Sequence, residues 1–130
     1  MKKLLSMAAC LFLACSVFAG EYPEISIADL KAAIAAKTVT VIDVNGTKSY
    51  QDGHIPGAVD YATVKANLAK VLPANKDALV VAYCGSPKCN MYQTAAKAAT
   101  DLGYTNVKHL KAGISGWKAA KESVEIAKAK

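Results

Sequence analysis

Cys84 and Cys89 frame the one segment of this chain that is built for covalent chemistry. The apolar run Leu79-Val80-Val81-Ala82-Tyr83 delivers Cys84 to the loop Gly85-Ser86-Pro87-Lys88-Cys89-Asn90, and a helical stretch from Met91 to Leu102 follows. A thiol at the end of a buried strand, at the mouth of a short loop that opens a helix, reads as a nucleophile. Loop amides and a positive helix end favour the thiolate over the thiol. They also hold an anionic sulfur or an oxyanion against it. Gly85, Ser86 and Pro87 suit tight turning rather than core packing, and Lys88 adds a cation beside the sulfur. Two other readings of the pair stay open: Cys84 as a small buried hydrophobe, and Cys84 with Cys89 as a structural disulfide. A metal site is disfavoured. Four-coordinate zinc needs further thiolates or imidazoles, and His54 and His109 lie in unrelated segments.

The elements that position this segment alternate along the chain. Ser26-Ile27-Ala28-Asp29 resembles a capping box and predicts a helix to about Ala36. Val39 to Asp43 reads as a buried strand. A loop with a short turn or helix runs from Asn45 to Gly57, a short strand covers Val59 to Tyr61, and a helix extends from about Ala62 to Val71. Beyond the break at Pro73 to Asp77 come the Leu79 to Tyr83 strand and its helix, stopped by Gly103. A last strand, Val107 to Leu110, precedes a helix from Ile114 to about Ala127. This alternation predicts an α/β fold, a parallel sheet of about five strands with helices on both faces. Ligands of such sheets bind beyond the carboxyl ends of the strands, where Cys84 lies.

Composition bounds the class. The 130 residues carry 16 cations, all lysine, against 10 anions, a net charge of +6. Lys2 and Lys3 precede an apolar run from Leu4 to Phe18, and Val17-Phe18-Ala19 offers small residues where a leader is cut. This predicts a signal peptide over residues 1–19 and a single domain over 20–130, with a loose tail. The run is short for a membrane span of ~20 apolar residues. The expected location is the periplasm or the exterior, with no stable membrane association after cleavage; lipidation at Cys15 is the alternative. Without Lys2 and Lys3 the charge falls to +4, spread along amphipathic segments with no basic block. That pattern fits a solvated surface and a mild pull on small anions, not nucleic-acid binding.

Three separated motifs resemble the rhodanese-like domains, over roughly Ile25 to Ala120. Val41-Ile42-Asp43-Val44, Tyr50 and Gly53-His54-Ile55-Pro56-Gly57-Ala58 are similar to the family's first signature. Tyr83-Cys84 with its loop resembles the active-site segment, and Gly103-Tyr104, Val107, Leu110, Gly113 and Trp117 resemble the carboxyl-terminal signature. The resemblance implies a sulfurtransferase without cofactor or metal. Cys84 would take a sulfane sulfur from a small anionic donor such as thiosulfate, as a persulfide, and pass it to cyanide or a thiol. The amides of Gly85, Ser86, Pro87, Lys88, Cys89 and Asn90 would form the cradle. Separately from the resemblance, the tight loop lets Cys89 bond Cys84 as a regulatory switch or resolve its persulfide; the alternative is that Cys89 points away into packing.

The chain departs from the family's pattern in places. Asn45 stands where many members carry arginine, and Pro87, Cys89 and Asn90 replace the usual loop glycine, arginine and serine. Bidentate anion recognition is thereby lost, and Lys88 offers only a point charge. The loop also lacks the arginine that would end the loop of the related cell-cycle phosphatases. A Cys-His-Asp triad with His54 and Asp43 is discounted: His54 is expected to hold its turn, Asp43 to tie down loop backbone, and His109 to pack. Met91 and Tyr92 are candidates to line an acceptor pocket. Two alternatives to the transferase remain: a thiol-disulfide redox protein using Cys84 and Cys89, and a non-catalytic binding module on the same scaffold.

Overall fold

The computed structural model describes residues 22–127. The expected signal segment lies outside the described residues. The elements run α1 (Ile27–Ala35), β1 (Val39–Asp43), α2 (Thr47–Asp52), β2 (Val59–Asp60), α3 (Tyr61–Val64), a 3-10 turn (Lys65–Asn67), α4 (Leu68–Val71), β3 (Leu79–Tyr83), α5 (Tyr92–Asp101), β4 (Val107–His109) and α6 (Gly113–Ala119). Four parallel strands lie in the order β2-β1-β3-β4, with Asp43 level with Tyr83 and Ala82 level with His109. The sheet thus has four strands where about five were expected; beside β4 Glu24 makes an isolated bridge with His109, held by Ile25 N–H to His109 O and His109 N–H to Pro23 O, each 2.9 Å. Pro23 has no N–H to donate, which limits how far that edge can be paired.

Alternation along the strands divides the core into two layers. Ile42, Val80, Ala82, Cys84 and Val107 point into one, against Leu68 and Leu72 from the α4 side and Ala95, Ala96 and Ala99 of α5. Val41, Val81 and Tyr83 point into the other, against Leu30 of α1, Ile55 and Trp117 of α6. A strand buried on both faces must be apolar throughout, which is why β3 reads Leu-Val-Val-Ala-Tyr. The alanine face of α5 lets that helix lie close on the sheet, and so sets the distance over which the Cys84 loop must turn back.

Two expected helices differ. Ser26 caps α1 as expected, accepting from Asp29 N–H at 3.0 Å. The stretch from Ala62 to Val71 is instead divided among α3, the 3-10 turn and α4, and its start moves back to Tyr61, because Asp60 caps it through Ala62 N–H at 3.1 Å. The last helix ends at Ala119 rather than near Ala127. Lys121 turns the chain with φ 60°, and Trp117 Nε1–H donates to Ser123 O at 2.9 Å. The segment then returns so that Glu125 and His54 exchange two backbone bonds of 2.9 Å.

Candidate active site

Strand β3 carries Cys84 to the carboxyl edge of the sheet and leaves it 3% exposed. The loop that follows is closed in two ways. Cys89 N–H donates to Ser86 O at 3.1 Å, making a tight turn around Pro87 and Lys88. Cys84 and Cys89 are joined as a disulfide, their Cα atoms 6.1 Å apart, within the range such a bridge requires. The other side of the loop is fixed by α6. Ile114 N–H donates to Cys84 O at 2.9 Å and Ser115 N–H to Gly85 O at 3.0 Å. That approach depends on Gly113, which adopts φ +64° and where a Cβ would lie 2.7 Å from both Cys84 O and Ser86 N.

Around the sulfurs lies a cavity of about 210 Å³, walled by the loop residues Ser86, Pro87, Lys88 and Asn90, and by Tyr92, His109, Leu110, Lys111 and Glu24. Lys111 Nζ is 3.5 Å from Glu24 Oε1. Lys88 has no carboxylate partner among the described residues, so its positive charge is not neutralised locally. The expected cradle of six loop residues is smaller than its length suggests. Pro87 has no N–H, and the Cys89 amide is bound to Ser86 O. Gly85, Ser86, Lys88 and Asn90 donate no backbone hydrogen bond among the described residues.

His109 is part of this wall, which its place in a strand pattern did not signal. It ends β4, is 7% exposed, and its Nδ1 is buried without a hydrogen-bond partner among the described residues. Its ring leans on Tyr92 with centroids 4.1 Å apart. Burial pushes the imidazole pKa down; Glu24 pulls it up and Lys111 pushes it further down. Tyr92 lines the cavity as expected, whereas Met91 is 60% exposed and stands outside it. Glu24, Leu110 and Lys111 also escape a reading based on the loop alone. They reach it because strand pairing sets residues 24 and 109 side by side.

Asp43 and His54 do not join Cys84 in the cavity wall. Asp43 Oδ1 accepts from Asn45 N–H at 2.7 Å, and its Oδ2 accepts from Tyr83 Oη at 2.5 Å. Tyr83 Oη in turn accepts from Ile55 N–H at 3.0 Å. Burial raises the Asp43 carboxyl, and burial with the neighbouring Asp43 raises the Tyr83 phenol, so the shared proton stays on Tyr83. His54 stacks on Tyr50 with centroids 3.7 Å apart, its Nδ1 lies 2.7 Å from Tyr50 O, and Tyr50 Oη donates to Ala58 O at 2.7 Å. Both groups fasten loops to strand ends, and no Cys-His-Asp triad forms.

A parallel sheet covered on both faces, with a cysteine at the carboxyl end of a central strand and a short loop curled over it, defines an α/β protein with its candidate site at the sheet's carboxyl edge. The chain belongs to the family of the Rhodanese-like domain, whose sequence profile matches residues 26–120. It is 34% identical over 108 residues to an HTH-type transcriptional regulator of Mycobacterium tuberculosis, covering 82% of this chain and 46% of that protein. It is 31% identical over 108 residues to the thiosulfate sulfurtransferase GlpE of Pseudoalteromonas translucida, covering 80% of this chain and 97% of that one. Among solved structures it resembles the BH2092 protein of Bacillus halodurans, with 30% identity, a TM-score of 0.65, and coverage of 81% of this chain and 77% of that one. The fold is shared with a human single-domain sulfurtransferase at 21% identity and a TM-score of 0.59, with 76% and 97% covered.

Proposed function

We propose that this protein is a sulfurtransferase that carries a sulfane sulfur on Cys84 and delivers it to a small thiophilic acceptor. The observation that carries the reading is the setting of Cys84: at the carboxyl end of β3, at a small cavity lined by the loop residues Ser86, Pro87, Lys88, Cys89 and Asn90. In the reduced protein the Cys84 thiolate attacks the outer sulfur of thiosulfate. A sulfur–sulfur bond forms at Cys84, the donor's own sulfur–sulfur bond breaks, and sulfite leaves with the electron pair. A covalent intermediate divides one difficult transfer into two displacements. The amides and Lys88 would stabilise both the dianion and the terminal persulfide charge. The likeness to GlpE, itself called a thiosulfate sulfurtransferase and matched over 97% of its length, supports the assignment. We also place the protein outside the cytoplasm, on the strength of the Lys2-Lys3 and Leu4 to Phe18 pattern; the mass of the protein isolated from a fractionated native host tests that.

The test is persulfide trapping. Pre-reduced Cys89→Ser protein treated with thiosulfate should release sulfite and gain one sulfur atom at Cys84, and Cys84→Ser should do neither and should lose thiosulfate:cyanide transfer. Wild-type turnover in Cys84→Ser would overturn the assignment. The Cys84–Cys89 disulfide favours one second reading, thiol-disulfide exchange with another protein. That reading expects rapid exchange with a protein dithiol and no sulfite release from thiosulfate.

A further inference from the structure

Cys89 sits in bonding position to the one sulfur the transferase reading makes reactive, and that placement has a chemical consequence. Cys84 is 3% exposed and the cavity beside it holds about 210 Å³. With so little of Cys84 exposed, a bulky thiol from solvent reaches its sulfur poorly. Cys89 needs no entry. It lies in the same wall, half-buried, and the turn from Ser86 to Cys89 already presents its sulfur to that of Cys84. A nucleophile held in place gains an effective concentration far above that of any free thiol.

We infer that Cys89 resolves the Cys84 persulfide from within the chain, so that the protein converts a sulfane sulfur to hydrosulfide and ends in its own disulfide. This rests on the persulfide reading above and extends it to the fate of the sulfur. The Cys89 thiol gives up its proton and its sulfur attacks Cys84 Sγ. The Cys84–Cys89 bond forms and the bond from Cys84 to the sulfane sulfur breaks. That sulfur leaves with the electron pair and the proton, as hydrosulfide. The sulfane sulfur gains two electrons, and the two cysteines lose two in becoming a disulfide. A dithiol reductant then supplies two electrons and two protons to restore both thiols. The product of the resolving step is the covalent state seen here. Sulfite and hydrosulfide are the two products of one thiosulfate, and a dithiol must be consumed each cycle.

A single turnover of the full chain without reductant tests this. Wild-type protein is reduced, freed of reductant under anaerobic conditions, and mixed with one equivalent of sodium thiosulfate. Sulfite, sulfide and intact mass are measured together. The expected result is one sulfite and one sulfide per chain, with the protein two hydrogens lighter than its reduced form. Cys89→Ser should release sulfite, keep the added sulfur and release no sulfide. Wild-type protein that releases sulfite but holds the added sulfur beside a free Cys89 thiol overturns the resolving step alone. An absence of sulfite and of any mass change in both proteins overturns the persulfide reading, and the resolving step with it.

Discussion

Lys88 adjoins the sulfurs as an exposed cation with no carboxylate partner among the described residues. Because the loop lacks arginine, it is the side-chain charge left to meet a dianion in the loop itself. Lys88→Glu turns an attraction of order 1 kcal/mol at contact into a repulsion of similar size, a swing of about 2 kcal/mol, so KM for thiosulfate should rise roughly thirty-fold with kcat much less affected. Steady-state kinetics decides it, and an unchanged KM would mean that the free amides suffice. Tyr83 makes a second residue-level case. Its hydroxyl donates to Asp43 and accepts from Ile55 N–H, all in a fully buried setting. Tyr83→Phe leaves the buried Asp43 Oδ2 and the buried Ile55 amide without this partner, while Asp43 Oδ1 keeps Asn45 N–H, and should cost about 3 kcal/mol in urea unfolding. A loss below the scatter of the measurement would show that the network is dispensable. These residues differ in how legible they were. Cys84 and Lys88 could be found because their neighbours in sequence are their neighbours in space. The Asp43–Tyr83 bond joins residues forty positions apart through strand pairing, and His109 enters the cavity wall through the pairing of β4 with β3, which sets it level with Ala82. Neither contact has a local signal.

At the scale of elements, the site is held by the approach of α6 to the Cys84 loop, and Gly113 permits that approach. A Cβ there would meet Cys84 O at 2.7 Å, Ser86 N at 2.7 Å and Gly85 C at 2.8 Å, all backbone atoms that cannot rotate away, and φ is +64°. Gly113→Ala should therefore push α6 off the loop and break the Ile114-to-Cys84 and Ser115-to-Gly85 hydrogen bonds. A loss of about 3 kcal/mol or more is expected, with the rate of sulfite release from thiosulfate falling more than ten-fold in protein kept folded at low temperature. Wild-type stability and rate in this variant would show that the contact is not what shapes the loop. The strands were legible because β1 and β3 are apolar on both faces, and their bounds in the sequence match those in the structure. The 61–71 region was less so. Its apolar spacing fits one helix, but the chain tightens at Lys65–Asn67, and Asn67 provides no side-chain cap for α4. The final helix was overextended for a similar reason: Lys and Ala continue the helical composition past Ala119, while Lys121 at φ 60° and the pairing of Glu125 with His54 end it.

For the molecule as a whole, acid stability should report how His109 is buried. In the folded chain burial holds its pKa below the ordinary 6.5, and the nearby Lys111 adds to that while Glu24 opposes it. The folded state therefore keeps the ring neutral where the unfolded chain takes up a proton. His109's contribution is fully present above about pH 6.5 and is lost as pH falls from there through the folded value. Asp43 works in the opposite sense. Burial holds its carboxyl above the ordinary 3.8, so lowering the pH through that raised value protonates the folded chain first and relieves the cost of an ionised buried group. The two contributions overlap in acid, and the wild-type curve alone would not separate them. Comparison with His109→Gln does, because the variant keeps Asp43 and a side chain of similar size. Urea unfolding of the oxidised protein, whose two cysteines do not titrate, should show wild-type stability falling between about pH 7 and about pH 5.5, with a slope of at most about 1.4 kcal/mol per unit. His109→Gln should be flatter over that interval. Parallel curves would show that the imidazole takes up its proton as readily in the folded chain as in the unfolded one, and that the cavity wall is open to water at His109.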